Sequence, residues 1–240
     1  MDRYRFYVPN LADGQILPLP EDEAHHALHV LRLTAGAEVD VFDGRGSSAP
    51  AVIEQANKKG VTIRATGSMI LEPQAGPSLT IATAMPKGDR AQWLIEQCSQ
   101  LNVTRLRWLE CDRNVVKFRE DGGKFSRLER YALEAAKQCG RNWLMQIDSP
   151  VTLEEVLATS GESEIWWCDP RAQAGIANVD RTKSYIALIG PEGGWSPREW
   201  ELLTRESSLG KVKPILLSRH VLRIETASAA IAAIALTNPQ

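Results

Sequence analysis

The stretch Ile189-Gly190-Pro191-Glu192-Gly193-Gly194-Trp195-Ser196-Pro197-Arg198-Glu199 decides how the rest of the chain reads. Ahead of it, residues 185–189 have the apolar character of a strand covered on both faces. Behind it, Ser196 suits an N-cap and Pro197 the first helical position. Glu199 at the third completes a capping box. Three glycines and a proline separate strand from helix. In a parallel sheet such a loop lies at the carboxyl end of its strand, beside a helix N-terminus, where open α/β sheets bind ligands. Glycine lets a flat ligand lie directly on backbone amides. A tight turn that needs glycine for its own sake fits the same spacing. The loop is not a P-loop, because no Lys-Ser/Thr pair follows the glycines, and it is not GxGxxG.

Working outward, the same strand–helix rhythm fills the chain after residue 78. Residues 79–84 are an apolar strand, and Asp89 can cap a helix whose Leu94, Cys98 and Leu101 share a face. Residues 106–109 read as a strand. Phe125, Leu128, Ala132, Ala135 and Cys139 stripe a long helix. Residues 165–168, 185–189 and 214–217 read as three more strands, and a final helix starts near Glu225. This alternation predicts an α/β layer with a mainly parallel sheet over residues 79–240.

Residues 1–72 read as a small β-rich module. Arg5 to Val8 is a short strand. Pro20 with Glu21, Asp22 and Glu23 starts a helix, and Ala24, Ala27, Leu28 and Leu31 repeat at its period. Val39 and Val41 alternate with Asp40, and the Asp43-Gly44-Arg45-Gly46 run is a turn. A compact barrel with one helix fits. Residues 73–78, which hold Pro73, Gly76 and Pro77, are the linker.

The 240 residues suffice for two small domains, and 43% apolar content supplies their cores. A net charge of −2 argues against a polybasic binder while leaving room for a local basic face. The N-terminus lacks a secretory signal. The apolar stretch 227–236 is far short of the roughly 20 residues of a membrane span. A soluble, unexported, cytoplasmic protein is expected. Cys98, Cys111, Cys139 and Cys168 form no CxxC pair and no zinc-spaced cluster, so no metal is expected and the cysteines read as small hydrophobes.

Two further segments carry chemistry. In 217–227, Ser218, Arg219, His220, Arg223, Glu225 and Thr226 interrupt the passage from a strand to an alanine-rich helix. Glu225 suits the start of that helix electrostatically; Arg223 has no such structural excuse. In 135–141, Gln138 and Arg141 end a helix that Gly140 can break. From Arg105 to Arg141 the chain is densely basic, with Arg107, Arg113, Lys117, Arg119, Lys124, Arg127, Arg130 and Lys137 between them. That density makes a phosphate-facing surface plausible.

Together these segments resemble the SPOUT-class 16S rRNA (uracil-N3)-methyltransferases, the RsmE family, over almost the whole chain and in the family's order. Residues 5–8, 26–33 and 42–44 look like its PUA-like RNA-binding module. Residues 86–90 are similar to the opening of its catalytic domain, 112–116 to its arginine loop, and 135–141 to its Ala-Ala-x-Gln-x-Gly-Arg helix end. Residues 190–194 and 221–227 are the most specific matches. The resemblance implies a trefoil knot in the C-terminal domain, a PUA-like β-barrel before it, and a homodimer. It implies S-adenosylmethionine as cofactor, held by Asp169, Leu188, Gly190, Glu192, Gly193, Gly194, Leu217, Ser218, Val221, Leu222 and Thr226.

It also implies small-subunit rRNA, naked or in the assembled subunit, as partner, with a uridine of the decoding region as target. Arg5, Arg32, Arg113, Lys117, Gln138 and Arg141 would contact RNA. Because the uridine N3 carries a proton, the base must leave its pair. Arg223 or Arg141 could stabilise the charge that spreads onto its carbonyls, with Glu225 as proton acceptor. Four positions depart from the family: Gln97, Gln100 and Asn102 replace lysine, glutamate and glycine, and Ser218 replaces glycine. A related enzyme acting on another rRNA site or on tRNA, and a non-catalytic RNA-binding protein, are the alternatives.

Overall fold

A computed structural model describes residues 3–74, 76–116 and 122–236. The chain divides into two compact units, one formed by residues 1–75 with 136–144, the other by 76–135 with 145–240.

In the first unit, β1 (Tyr4–Tyr7), β2 (Ile16–Pro18), β3 (Glu38–Phe42), β4 (Ser47–Asn57) and β5 (Gly60–Ala65) pair in the order β1-β3-β4-β5-β2, with β6 (Ile70–Leu71) on β4. The alternation read from Val39 and Val41 holds: both are buried, with Phe6, Ala49, Ala51, Ile53, Val61 and Ile63. The helix after Pro20 corrects the periodic reading. Only α1 (Glu21–His25) is α-helical, and His26–Val30 continues it as a π-turn, in which the Leu31 amide donates to His26 O at 3.0 Å. Glu23 is buried rather than a solvated first-turn acid. It accepts from the Tyr7 amide at 3.2 Å and pairs with Lys137 Nζ at 2.8 Å, which explains how a carboxylate tolerates that position.

In the second unit, β7 (Ser78–Thr83), β8 (Arg105–Leu109), β9 (Gln146–Val151), β10 (Glu164–Cys168), β11 (Ser184–Ile189) and β12 (Val212–Ile215) form one sheet in the order β12-β10-β11-β7-β8-β9. Every pairing is parallel. Such a sheet must be covered on both faces, and α2 (Arg90–Gln100), α3 (Gly122–Cys139), α4 (Leu153–Ala158), α5 (Pro197–Ser208) and α6 (Ile224–Leu236) supply the helices. The core holds Leu79, Ile81, Leu94, Ile95, Leu106, Trp108 and Trp166. Alanines let α6 approach α2 closely; the two helices pack on each other, and α6 packs on β7 and β11.

Three expectations need correction here. The last strand is Val212–Ile215, not 214–217, so Leu217 is released to a loop; Pro214 is tolerated because β12 is an edge strand. Asp89 makes no cap bond, because its own backbone is already helical (φ −67, ψ −11). The sequence reading also passed over β9 and α4. β9 is the other edge, where Pro150 is allowed and Asp148 pairs with Arg105 and Arg107 at 2.9 and 2.8 Å. α4 is started by a Thr152–Glu155 capping box.

Candidate functional site

Strands β12, β10 and β11 lie side by side, and the loops at their carboxyl ends wall one cavity of about 530 Å³. That size suits a cofactor or small molecule. Cys168, Asp169 and Pro170 come from the end of β10, Gly190, Glu192 and Gly194 from the end of β11, and Leu217, Ser218, His220, Val221, Leu222 and Arg223 from beyond β12. Of the residues expected to hold a cofactor, Asp169, Gly190, Glu192, Gly194, Leu217, Ser218, Val221 and Leu222 line the cavity. Leu188, Gly193 and Thr226 do not. Leu188 is sealed in β11, Gly193 faces Arg113, and Thr226 is exposed on α6.

The capping box read from the sequence is present at the head of α5: Ser196 Oγ accepts from the Glu199 amide at 3.3 Å, and Glu199 Oε2 accepts from the Ser196 amide at 2.8 Å. Glu199 is fully buried and also accepts from the Asp112 amide at 3.0 Å, which ties the end of β8 to the glycine loop. Arg198 and then Ser196 bond Asp112 in turn and hold its carboxyl below the usual range. Within the loop the glycines have distinct jobs. Gly194 sits at φ +70, a conformation that L side chains rarely adopt. Gly190 carries the indole of Trp195, which would stand 2.8 Å from a methyl group built there.

The residues expected to do chemistry separate. Arg223 is exposed and lines the cavity. Glu225 is 4% exposed, lies outside the cavity lining, and has an Oε2 with no hydrogen-bond partner. Its Oε1 is 3.9 Å from Arg90 Nη1, and the same nitrogen hydrogen-bonds Glu192 Oε1. Arg90 was read only as part of the domain's opening, and its role was missed; a cation on the first residue of a helix, against the helix dipole, was the available signal. Arg141 belongs to the first unit and not to the cavity wall.

Asp169 is buried and accepts from the Arg171 amide at 2.9 Å. The Arg171 guanidinium lies 3.2 Å over the Trp200 ring. Burial pushes the Cys168 thiol up to about 12, so it offers no thiolate at neutral pH. Ser218, where the family has glycine, turns its Oγ back to accept from the His220 amide at 3.1 Å. Val221 is 86% exposed at the cavity, an apolar side chain left in water. Trp195, Cys168 and His220 also line the cavity; none of them was assigned to the cofactor site from sequence.

The residues expected to meet RNA fall in both units. Arg5, Arg32, Gln138 and Arg141 belong to the first. There Arg5 hydrogen-bonds Asn142 and lies 4.3 Å over the Phe42 ring, and burial draws its pKa down. Arg32 is exposed in a left-handed conformation (φ 54). Gln138 is exposed on the last turn of α3, and the Arg141 amide donates to Ala136 O at 3.0 Å, closing that helix. In the second unit Arg113 donates from Nη1 to Gly193 O at 3.2 Å. Lys117 lies outside the described residues.

Two family models match the chain: an RNA methyltransferase domain over residues 73–236 and an RNA methyltransferase PUA domain over residues 19–66. Among similar proteins, the ribosomal RNA small subunit methyltransferase E of Rickettsia conorii is 28% identical across 96% of this chain and 93% of its own length. Its Mycobacterium bovis namesake is 28% identical across 93% and 87%. A Legionella pneumophila protein solved with bound SAM superposes with a TM-score of 0.88 at 26% identity, covering 99% of this chain and 98% of that one. The chain belongs to the RNA methyltransferase family, in its small-subunit methyltransferase E branch, the one its motifs resemble.

Proposed function

We propose that this chain transfers a methyl group to N3 of a uridine in the decoding region of 16S rRNA. The observation that carries the reading is the meeting of three loops, from β10, β11 and β12, around one cavity with Arg223 on its wall. The cavity fits S-adenosylmethionine. Gly190 lets the Trp195 indole lie flat in the cavity wall, and Val221 offers apolar contact at the rim. Asp169, Gly190, Glu192, Gly194, Leu217, Ser218, Val221 and Leu222 would hold the cofactor, while Leu188, Gly193 and Thr226, outside the lining, would shape the loops that carry them. When bound, S-adenosylmethionine supplies a methyl group on a sulfonium sulfur.

The protein's own part is placement and charge. In-line transfer needs N3 and the methyl carbon aligned, which ordered loops provide. For a methyl to pass to N3 the chain would have to take the N3 proton on a carboxylate, while the electron pair of the methyl–sulfur bond would stay with the departing sulfur. Arg223 stabilises the charge on the uracil carbonyls. Glu225, whose Oε2 has no hydrogen-bond partner, is the acceptor in this reading; because it stands outside the cavity lining, the proton would reach it through one bridging water. Arg5, Arg32, Arg113, Lys117, Gln138 and Arg141 engage RNA, so binding weakens steeply with added salt.

The reading extends to architecture. The return of the chain from the sheet edge at β12 to α6, packed on central β7 and β11, is consistent with a trefoil knot. The path from β1 to β2 is proposed to curl into a PUA-like barrel. Trp93 on α2 and Ile234 on α6 leave apolar surface exposed on two helices that pack together, which supports a homodimer. No helix among the described residues is long and apolar enough to cross a membrane; a ribosomal substrate would support a cytoplasmic location.

The test uses methyl-labelled S-adenosylmethionine with small subunits, and separately with naked 16S rRNA, from cells lacking the modification. Label recovered as 3-methyluridine at one decoding-region site is the expected result. Label appearing only in tRNA, or at another rRNA position, overturns the target.

A further inference from the structure

We propose that Arg90 is a positioning residue of this site, whose guanidinium ties Glu192 of the glycine loop to Glu225 at the head of α6. It would hold the cofactor loop and the proton acceptor in one register. The part that concerns Glu225 rests on the acceptor reading above; the part that concerns Glu192 does not.

Three observations carry the proposal. Arg90 is the first residue of α2, and no acid occupies that first turn. A cation there opposes the helix dipole, so its placement asks for another cause. That cause is visible in the side chain. Nη1 hydrogen-bonds Glu192 Oε1 and lies 3.9 Å from Glu225 Oε1, while Nε donates to Lys87 O at 3.3 Å. Finally, Glu225 is a carboxylate 4% exposed, and among the described residues no other salt bridge reaches it. A buried carboxylate without a counter-charge is strongly disfavoured.

The arrangement divides the labour of four oxygens. Arg90 engages Oε1 of both glutamates and leaves Glu225 Oε2 without a partner. Glu192 lines the cavity, whereas Glu225 stands outside the lining. The guanidinium is thus the charged link between a residue on the cavity wall and one behind it. The hydrogen bond with Glu192 raises the pKa of Arg90 further, so the link stays charged at any working pH.

The experiment compares Arg90→Gln, Arg90→Lys, Glu192→Gln and the Arg90→Gln/Glu192→Gln pair. S-adenosylmethionine affinity is measured by calorimetry, kcat and KM on 16S rRNA by label incorporation, and folding by thermal melting. Arg90→Gln is expected to weaken cofactor binding about tenfold and to lower kcat on the order of a hundredfold, the scale of a small misplacement. The KM for RNA should stay unchanged. Arg90→Lys should recover part of both losses. The double variant should bind cofactor no worse than Arg90→Gln alone, because both changes cut one link. A folded Arg90→Gln with unaltered affinity and kcat overturns the proposal. If Arg90→Gln does not fold, Arg90→Lys carries the test, and wild-type values for Glu192→Gln would likewise overturn it. Full activity of Glu225→Gln would remove the acceptor reading alone; the effect of Arg90 on cofactor affinity through Glu192 would remain.

Discussion

Trp195 lies across Gly190 so closely that a methyl group on the glycine Cα would stand 2.8 Å from the indole carbon and 2.9 Å from its nitrogen. The indole is a rigid plane in the cavity wall, with no flexible end to turn aside. Gly190→Ala must displace it or bend the loop. Overpacking of this kind costs about 1–3 kcal/mol. Calorimetry should show S-adenosylmethionine affinity falling tenfold or more, and a thermal melt should show a lower midpoint. Unchanged affinity would mean that the cofactor does not use this wall.

Arg223 lines the cavity and is exposed. Arg223→Ala should lower kcat by roughly 10²–10³, the usual effect of removing a donor to developing negative charge. Cofactor affinity should hardly move. Equal turnover in mutant and wild type, at saturating RNA, would remove Arg223 from the mechanism.

Cys168 touches the cavity but takes no chemical part. Burial pushes its thiol up to about 12, so ionisation begins only as pH approaches that value. Cys111 is raised as well, chiefly by burial and then by Glu199. At pH 8 iodoacetamide should label exposed Cys139 first and leave both of these unmodified, as read by peptide mass spectrometry. Cys168→Ala should retain turnover within a few-fold. Rapid loss of activity on alkylation of Cys168 would contradict the assignment.

Asn102 has φ 64, directly after α2. The family's glycine at this position suits a left-handed residue, and asparagine is among the few side chains that tolerate it. Asn102→Gly should stabilise by up to about 1 kcal/mol, and Asn102→Val should destabilise by about 1–2 kcal/mol. Denaturant titration resolves both. The same substitutions should leave catalysis alone, since this departure answers a backbone requirement and not a substrate.

The parallel layer was legible because its strands are covered on both faces and therefore written in continuous apolar runs, as in 79–84 and 185–189. The head of α5 was legible because Ser196, Pro197 and Glu199 act locally. What sequence could not show depends on contacts between distant segments. Glu23 reads as a surface acid until Lys137 arrives beside it from 114 residues further on. Arg90 acquires meaning only from Glu192 and Glu225, each more than 100 residues away. Edge strand β9 carries Asp148 and Pro150, which mask its pattern because one side of an edge faces no partner. At the site, the cavity-facing loops were foreseen, while the separation of Glu225 from the cavity lining was not; a residue two positions from Arg223 on a helix start points another way.

The membership of residues 136–144 in the first unit bears on how the protein is made. Sixty residues of the second unit stand between the two pieces of the first. When residue 75 leaves the ribosome, Glu23 still lacks the lysine that balances it, and Arg5 still lacks Asn142. The first unit reaches its final state only after Leu144 has emerged, by which point β7, α2 and β8 have already been synthesised. Maturation of the two units is thereby interleaved in time, and a truncation at residue 75 should yield an incomplete fragment in place of a free-standing domain.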